Sequence, residues 1–175
     1  MARQALINVE ILSETHRISC RIEVGATGLI GLLNDVNSSL VDMQMAYMSR
    51  IQEPAKIIAN FEAATVNKNN LAMVIVSKRE SIGPQGYVNI GISRLLPCPV
   101  LITTEAFEIR GTIEVPGKLD PGALLMGGGG GKFMPLFQAK ITATRHLDIP
   151  PYTAEAMLIN RTLVATFAAL AKGKA

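Results

Sequence analysis

A chain of 175 residues suggests one domain or two small ones, and its 49% hydrophobic and 18% charged content points to more buried surface than one isolated small barrel could use. The net charge of +3 comes from dispersed Lys and Arg, with Lys172, Gly173, Lys174 as the one short cluster. That is a weak electrostatic footprint for a nucleic-acid binder, although the pI is near 9.0. No apolar run approaches the roughly 18–20 residues of a bilayer span, and the opening MARQALINVEIL lacks the apolar core and cleavage site of a signal peptide, so a cytoplasmic location is expected.

In chain order, Val9, Ile11 and Ser13 alternate with Glu10, Leu12 and Glu14. Ile18, Cys20, Ile22 and Val24 then alternate with Arg17, Ser19, Arg21 and Glu23. Period two predicts two strands of a hairpin turning at residues 14–16. Within the glycine-bearing segment 25–39, Leu29, Ile30, Leu32 and Leu33 predict one helical turn ended by Asn34 and Asp35. Strands are predicted over 40–48, 56–66 and 71–76, the last two joined by an Asn-rich turn at 67–70, where left-handed backbone is tolerated. Residues 81–99 are rich in Gly and Pro yet carry Tyr87, Val88, Ile90, Ile92, Leu95 and Leu96, so they suit a connector lying across a groove better than a free linker.

A second hairpin follows over 100–115, turning near Glu105 and Ala106. Leu119 and residues 124–126 stand as the helical counterpart, and strands are predicted over 133–144, 154–159 and 163–169. Residues 168–175 fit either a frayed strand end or a short helix.

The second half repeats the first. Residues 9–24 return ninety-one positions later with seven identities in sixteen: Val9/Val100, Ile11/Ile102, Glu14/Glu105, Ile18/Ile109, Ile22/Ile113, Glu23/Glu114 and Val24/Val115. Ser13/Thr104 is a conservative pair, and with roughly a one-residue shift the correspondence continues to the end. The expected fold is therefore mainly β: two tandem small antiparallel β-barrels, each with a short helix or loop after its second strand. The boundaries are 1–80 for the first, 81–99 for the connector and 100–175 for the second. Units this small are marginal alone, so they are expected to pack on each other or on further subunits.

Gly127, Gly128, Gly129, Gly130, Gly131 and Lys132 form the most conspicuous candidate binding element. The segment fails as a phosphate loop of Walker type, which needs glycine where Met126 stands, a hydroxyl where Phe133 stands and a helix to follow, whereas FMPLFQAKI reads as strand. A looser nest of backbone N–H groups, or a plain crossing between barrels, remains open. His16 and His146 occupy different parts of their repeats, so no metal site is expected, and no cofactor is. Matched Glu23 and Glu114 lie in the polar phase of their strands, which favours solvation or an ion pair over acid/base work. Cys20 faces Gly111 across the repeat and reads as a small packing residue; neither it nor Cys98 has disulfide or zinc spacing. The internal methionines suit core filling, and the scarcity of aromatic residues counts against base stacking.

Arg17, Ile18, Ser19, Cys20 followed by residues 29–34, and Ile109, Arg110, Gly111 with its glycine-expanded loop, give the chain a likeness. It resembles the Sm-like and SH3-like small β-barrels, and is similar to a bacterial domain family built on an R-I-x-G hairpin. Cys20 departs from the glycine and Glu108 from the arginine. The resemblance implies no catalytic residues. It supports a non-enzymatic interaction or assembly module whose partner is another protein or a further copy of the chain. The alternatives are RNA or other nucleic-acid binding through an Sm-like barrel, and small-ligand or phosphate binding at the glycine loop.

Overall fold

The computed structural model describes residues 5–83, 95–126 and 131–170. The first copy contributes β1 (Ala5–Leu12), β2 (His16–Val24), α1 (Gly28–Asn34), β3 (Leu40–Arg50), β4 (Glu53–Asn67) and β5 (Met73–Val76). The second contributes β6 (Leu96–Thr103), β7 (Phe107–Val115), α2 (Pro121–Leu125), β8 (Phe133–Ala143), β9 (Tyr152–Asn160) and β10 (Thr166–Ala169). A 3-10 turn joins the last two strands of each copy, at Lys68–Asn70 and Arg161–Leu163. No helix among the described residues is long and apolar enough to cross a membrane.

The repeat is reproduced at the level of single hydrogen bonds. The hairpin turns are locked by the conservative hydroxyl pair: Ser13 N donates to His16 O at 2.9 Å and His16 N to Ser13 Oγ at 3.0 Å. Thr104 and Phe107 repeat both bonds, at 2.9 and 3.1 Å. Each β2–β3 or β7–β8 ladder shifts register once, between Ser19 and Arg21 and between Arg110 and Thr112. The extra residue of each bulge lies in the later strand, where Met45 and Gln138 stand as two non-glycine residues at a left-handed φ of 49°. Such bulges bend the strand and sharpen its twist. Met45 and Gln138 are ninety-three positions apart, as are the turn residues Asn67 and Asn160, so the repeat offset grows by two residues after the hairpins rather than one.

The strand order β10-β6-β7-β8-β9-β5-β1-β2-β3-β4 describes one ten-stranded antiparallel sheet. Within each copy the fifth strand bonds the first, and the copies join where β5 pairs with β9. The sheet is open, which corrects the expectation of two separately closed barrels. The reason lies in β5, whose four residues Met73, Val74, Ile75 and Val76 are all buried. A strand apolar on both faces must be covered on both. Val74 and Val76 join the core of copy one, with Val9, Ile11, Ile18, Cys20, Ile22, Leu29, Leu33 and Met43. Met73 and Ile75 join the core of copy two, with Val100, Ile102, Phe107, Ile109, Ile113, Leu136 and Ile141. β9 divides likewise: Ala156 and Leu158 enter the first core, Met157 and Ile159 the second. The sheet thus carries one core on each face at the β5–β9 junction.

Candidate functional site

The β5–β9 junction is held by more than its ladder, in which Met73, Val74, Ile75 and Val76 face Ile159, Leu158, Met157 and Ala156. Asn160, fully buried, donates from Nδ2 to Leu71 O at 3.0 Å, and its backbone N–H donates to Ala72 O at 2.9 Å. Its Oδ1 accepts from Thr162 N, so one side chain closes its own turn and clasps the other copy. Asn34, at the end of α1, accepts from Phe133 N at 2.7 Å and donates to Phe133 O at 3.0 Å. That leaves the Phe133 ring in the core of copy one. On the far side Arg79 grips Glu114 through two hydrogen bonds, of 2.9 and 2.5 Å, and stacks on Phe137 with its guanidinium carbon 4.0 Å from the ring centre.

Two buried cations stand at repeat-equivalent positions. Lys68 Nζ donates to Leu32 O at 2.6 Å and Asp35 O at 3.2 Å, closing the end of α1. Arg161 donates to Leu124 O at 2.8 Å, doing the same for α2. Late helical carbonyls lack intrahelical partners, so a cation there satisfies them. Desolvation by burial pulls both cations below their ordinary pKa values, with Asp35 partly opposing the shift at Lys68. The carbonyl contacts make these structural charges.

Of the predicted binding residues, Gly127, Gly128, Gly129 and Gly130 lie outside the described residues. Gly131 and Lys132 belong to the junction. A Cβ on Gly131 would stand 2.5 Å from the Asn34 side chain, so the close approach needs glycine, and Lys132 Nζ donates to Asn69 Oδ1. Strand β8 comes directly after them, as its sequence pattern indicated, in place of the helix a phosphate loop requires. The residues that sequence reasoning missed are Asn34, Asn160, Lys68 and Arg161. The first two carried a faint signal, as an Asn at a helix end and one half of the matched pair Asn67/Asn160.

Glu114 forms the ion pair with Arg79, while Glu23 is exposed. His16 starts β2, its Nδ1 2.8 Å from Thr15 Oγ1, and His146 lies in the turn after β8. Cys20 is buried on β2 opposite the β3 bulge, and burial pushes its thiol up to about 12. At Gly111, its counterpart, a Cβ would stand 2.9 Å from Leu136 Cγ and 3.1 Å from Phe137 O, so the close approach of β8 requires the glycine there.

A shallow groove of about 700 Å³ crosses β3, β2, β1, β5 and β9. Of its lining residues, Glu10 is held by Arg17, and Arg21 bonds a neutral amide. Arg17 donates to both carboxylate oxygens of Glu10, at 2.6 and 3.2 Å, with its guanidinium carbon 5.7 Å from the Tyr152 ring centre, and Arg21 donates to Asn8.

At its two ends the sheet presents β10, which pairs among described strands with β6, and β4, which pairs with β3. β4 is largely solvent-facing, and on and beside it Leu40, Tyr47, Ile57, Ile58 and Phe61 are exposed to between 41% and 60%. Searches against family models, curated proteins and solved structures give no match to this chain.

Proposed function

We propose that this protein is a non-enzymatic assembly module whose partner is a second copy of itself. The observation that carries the reading is the long strand β4, whose outer backbone edge has no ladder partner among the described residues, with large apolar side chains exposed on both of its faces and beside it on β3. An unpaired strand edge is a template for another strand, and apolar side chains exposed on and beside it are covered when that strand is added. The buried ionisable groups support it as well, because Lys68 and Arg161 are occupied in closing helices and Cys20 is held as a neutral thiol. Each copy is read as a half-open small barrel of the Sm-like or SH3-like type, supported by the same five-strand order in both halves, fifth-first-second-third-fourth. Two free thiols, Cys20 and Cys98, accord with a reducing compartment such as the cytoplasm.

Light scattering over a dilution series tests the assignment. A mass rising above 18.7 kDa with concentration supports self-association, and a constant monomer mass at every concentration refutes it.

A further inference from the structure

From the internal junction we infer that the two outer edges of the sheet are complementary, and that β10 of one molecule pairs with β4 of the next in the register that β5 and β9 show within the chain. The inference rests on the self-association reading and specifies its geometry. β10 is the repeat equivalent of β5, and β4 the equivalent of β9. Copy one meets copy two through its fifth strand, so among the described residues the fifth strand of copy two and the fourth of copy one have no ladder partner on their outer edges. Transferring the observed pairs through the repeat sets Thr166 against Val66, Phe167 against Thr65, Ala168 against Ala64 and Ala169 against Ala63.

Three independent features fit a contact that awaits its partner. First, residues buried at the junction have exposed equivalents at the edges. Phe133, 1% exposed, corresponds to Leu40 at 52%, and buried Asn160 corresponds to exposed Asn67. Second, α1, which meets β8 at the junction, buries Leu29, Ile30 and Leu33, whereas α2, its equivalent beside β10, buries none of its residues. Third, the eight positions carry no charge and no proline, the devices that ordinarily protect an edge.

The backbone is poised correctly too. Asn160 N–H points from β9 toward β5, so by alternation along the strand Leu158 and Ala156 present theirs to β5 as well. Pro135, opposite Leu158 on β8, needs no ladder donor there. The equivalents on β4, Asn67, Thr65 and Ala63, therefore direct their N–H groups outward. Smaller side chains at the edges than at the junction make the outer contact the weaker of the two, so it forms reversibly and with concentration. Because it joins unlike edges, it is heterologous and propagates head to tail.

The test uses the full chain. Thr65, exposed here and bonded to Asp42, is the equivalent of Leu158, which is buried in the core of the copy it meets; Thr65→Lys would place a long charged side chain against the copy-two core of the next molecule. The variant is expected to remain at 18.7 kDa by light scattering at concentrations where the wild type assembles, with unchanged circular dichroism and with the melting temperature of the wild type diluted to monomer. As a second arm, Ala63→Cys combined with Ala169→Cys should give disulfide-linked oligomers, with residues 63 and 169 of different molecules identified in the linked peptides. Those two positions lie on opposite end strands of one chain. Wild-type assembly that survives Thr65→Lys and yields no 63–169 linkage overturns the register while leaving self-association standing. A wild type that is monomeric throughout overturns both.

Discussion

Truncating Phe133 to Ala tests the claim that the two copies share one folding unit. The ring belongs by sequence to copy two, lies 1% exposed, and packs in the core of copy one against residues such as Phe137 and Leu158. Removing a buried Phe ring costs about 3–5 kcal/mol, the sum of lost transfer energy and the cavity left behind. Against a total stability of roughly 5–15 kcal/mol, that is a large share. At about 2–4 °C per kcal/mol for a chain of this size, the melting temperature should fall by about 6–20 °C. The Asn34 clasp uses only Phe133 backbone atoms, so it survives the substitution and the loss reports the ring alone. Urea unfolding followed by circular dichroism gives the energy, and amide hydrogen exchange locates it. Protection should fall in β1, β2 and β3 as well as in β8. The matched substitution Leu40→Ala, at a half-exposed site, should change monomer stability by no more than about 0.5 kcal/mol. A loss below about 1 kcal/mol at Phe133, or exchange confined to the second half, would refute the shared unit.

Lys68→Ala should cost about 1.5–3 kcal/mol through loss of a charged donor to two carbonyls. Lys68→Arg should recover most of it, since Arg161 fills the equivalent place; equal melting temperatures for the two variants would argue against the helix-closing role. At Met45, φ of 49° strains any side chain by about 1–2 kcal/mol, and glycine relieves this at an entropic cost of about 0.5–1 kcal/mol. Met45→Gly is therefore expected to hold or raise the melting temperature, and a clear fall would count against a strained bulge. The Cys20 thiol, raised by burial to about 12, should resist alkylation in the folded protein at pH 8 and react once urea unfolds it. Because the unfolded thiol ionises first, this group's contribution to stability is intact below pH 9.0 and is lost as pH rises toward about 12. Native-state labelling at Cys20, distinguished from the half-buried Cys98 by peptide mapping, would contradict that burial.

Both hairpins were legible because their apolar residues alternate, and alternation reports a strand with one wet face. The helical turn at Leu29–Leu33, the Asn-rich turn and strand β8 after the glycines were legible for similarly local reasons. Closure was not. Met73, Val74, Ile75 and Val76 form an unbroken apolar run, and such a run says that both faces are covered without saying by what. Choosing between a barrel closed on itself and a strand shared by two cores requires knowing that Met157 and Ile159 stand across the ladder, more than eighty positions along the chain. The candidate site suffered from the same distance. Gly131 is explained by the side chain of Asn34, and Lys132 by Asn69, partners in the other half of the chain.

Duplication makes the differences between the copies as informative as their likeness. Equivalent strands that evolved under one topology ought to carry similar residues, yet β5 reads MVIV where β10 reads TFAA, and the end of β9 reads AMLIN where the end of β4 reads AATVN. Except for Phe167, the equivalent of Val74, the heavier side chains lie at the junction between the copies and the lighter ones at the two end strands. Burial accounts for the direction of the difference, because large apolar residues contribute about 1.5–3 kcal/mol each only when covered. An edge destined to remain in water would instead be expected to acquire lysine, glutamate or proline, and neither outer stretch has done so. On β4 the protective residues Glu53, Pro54, Lys56 and Glu62 all precede residue 63, which leaves the uncharged stretches 63–67 and 166–169 as the part of each edge fit for a contact that must form and also release.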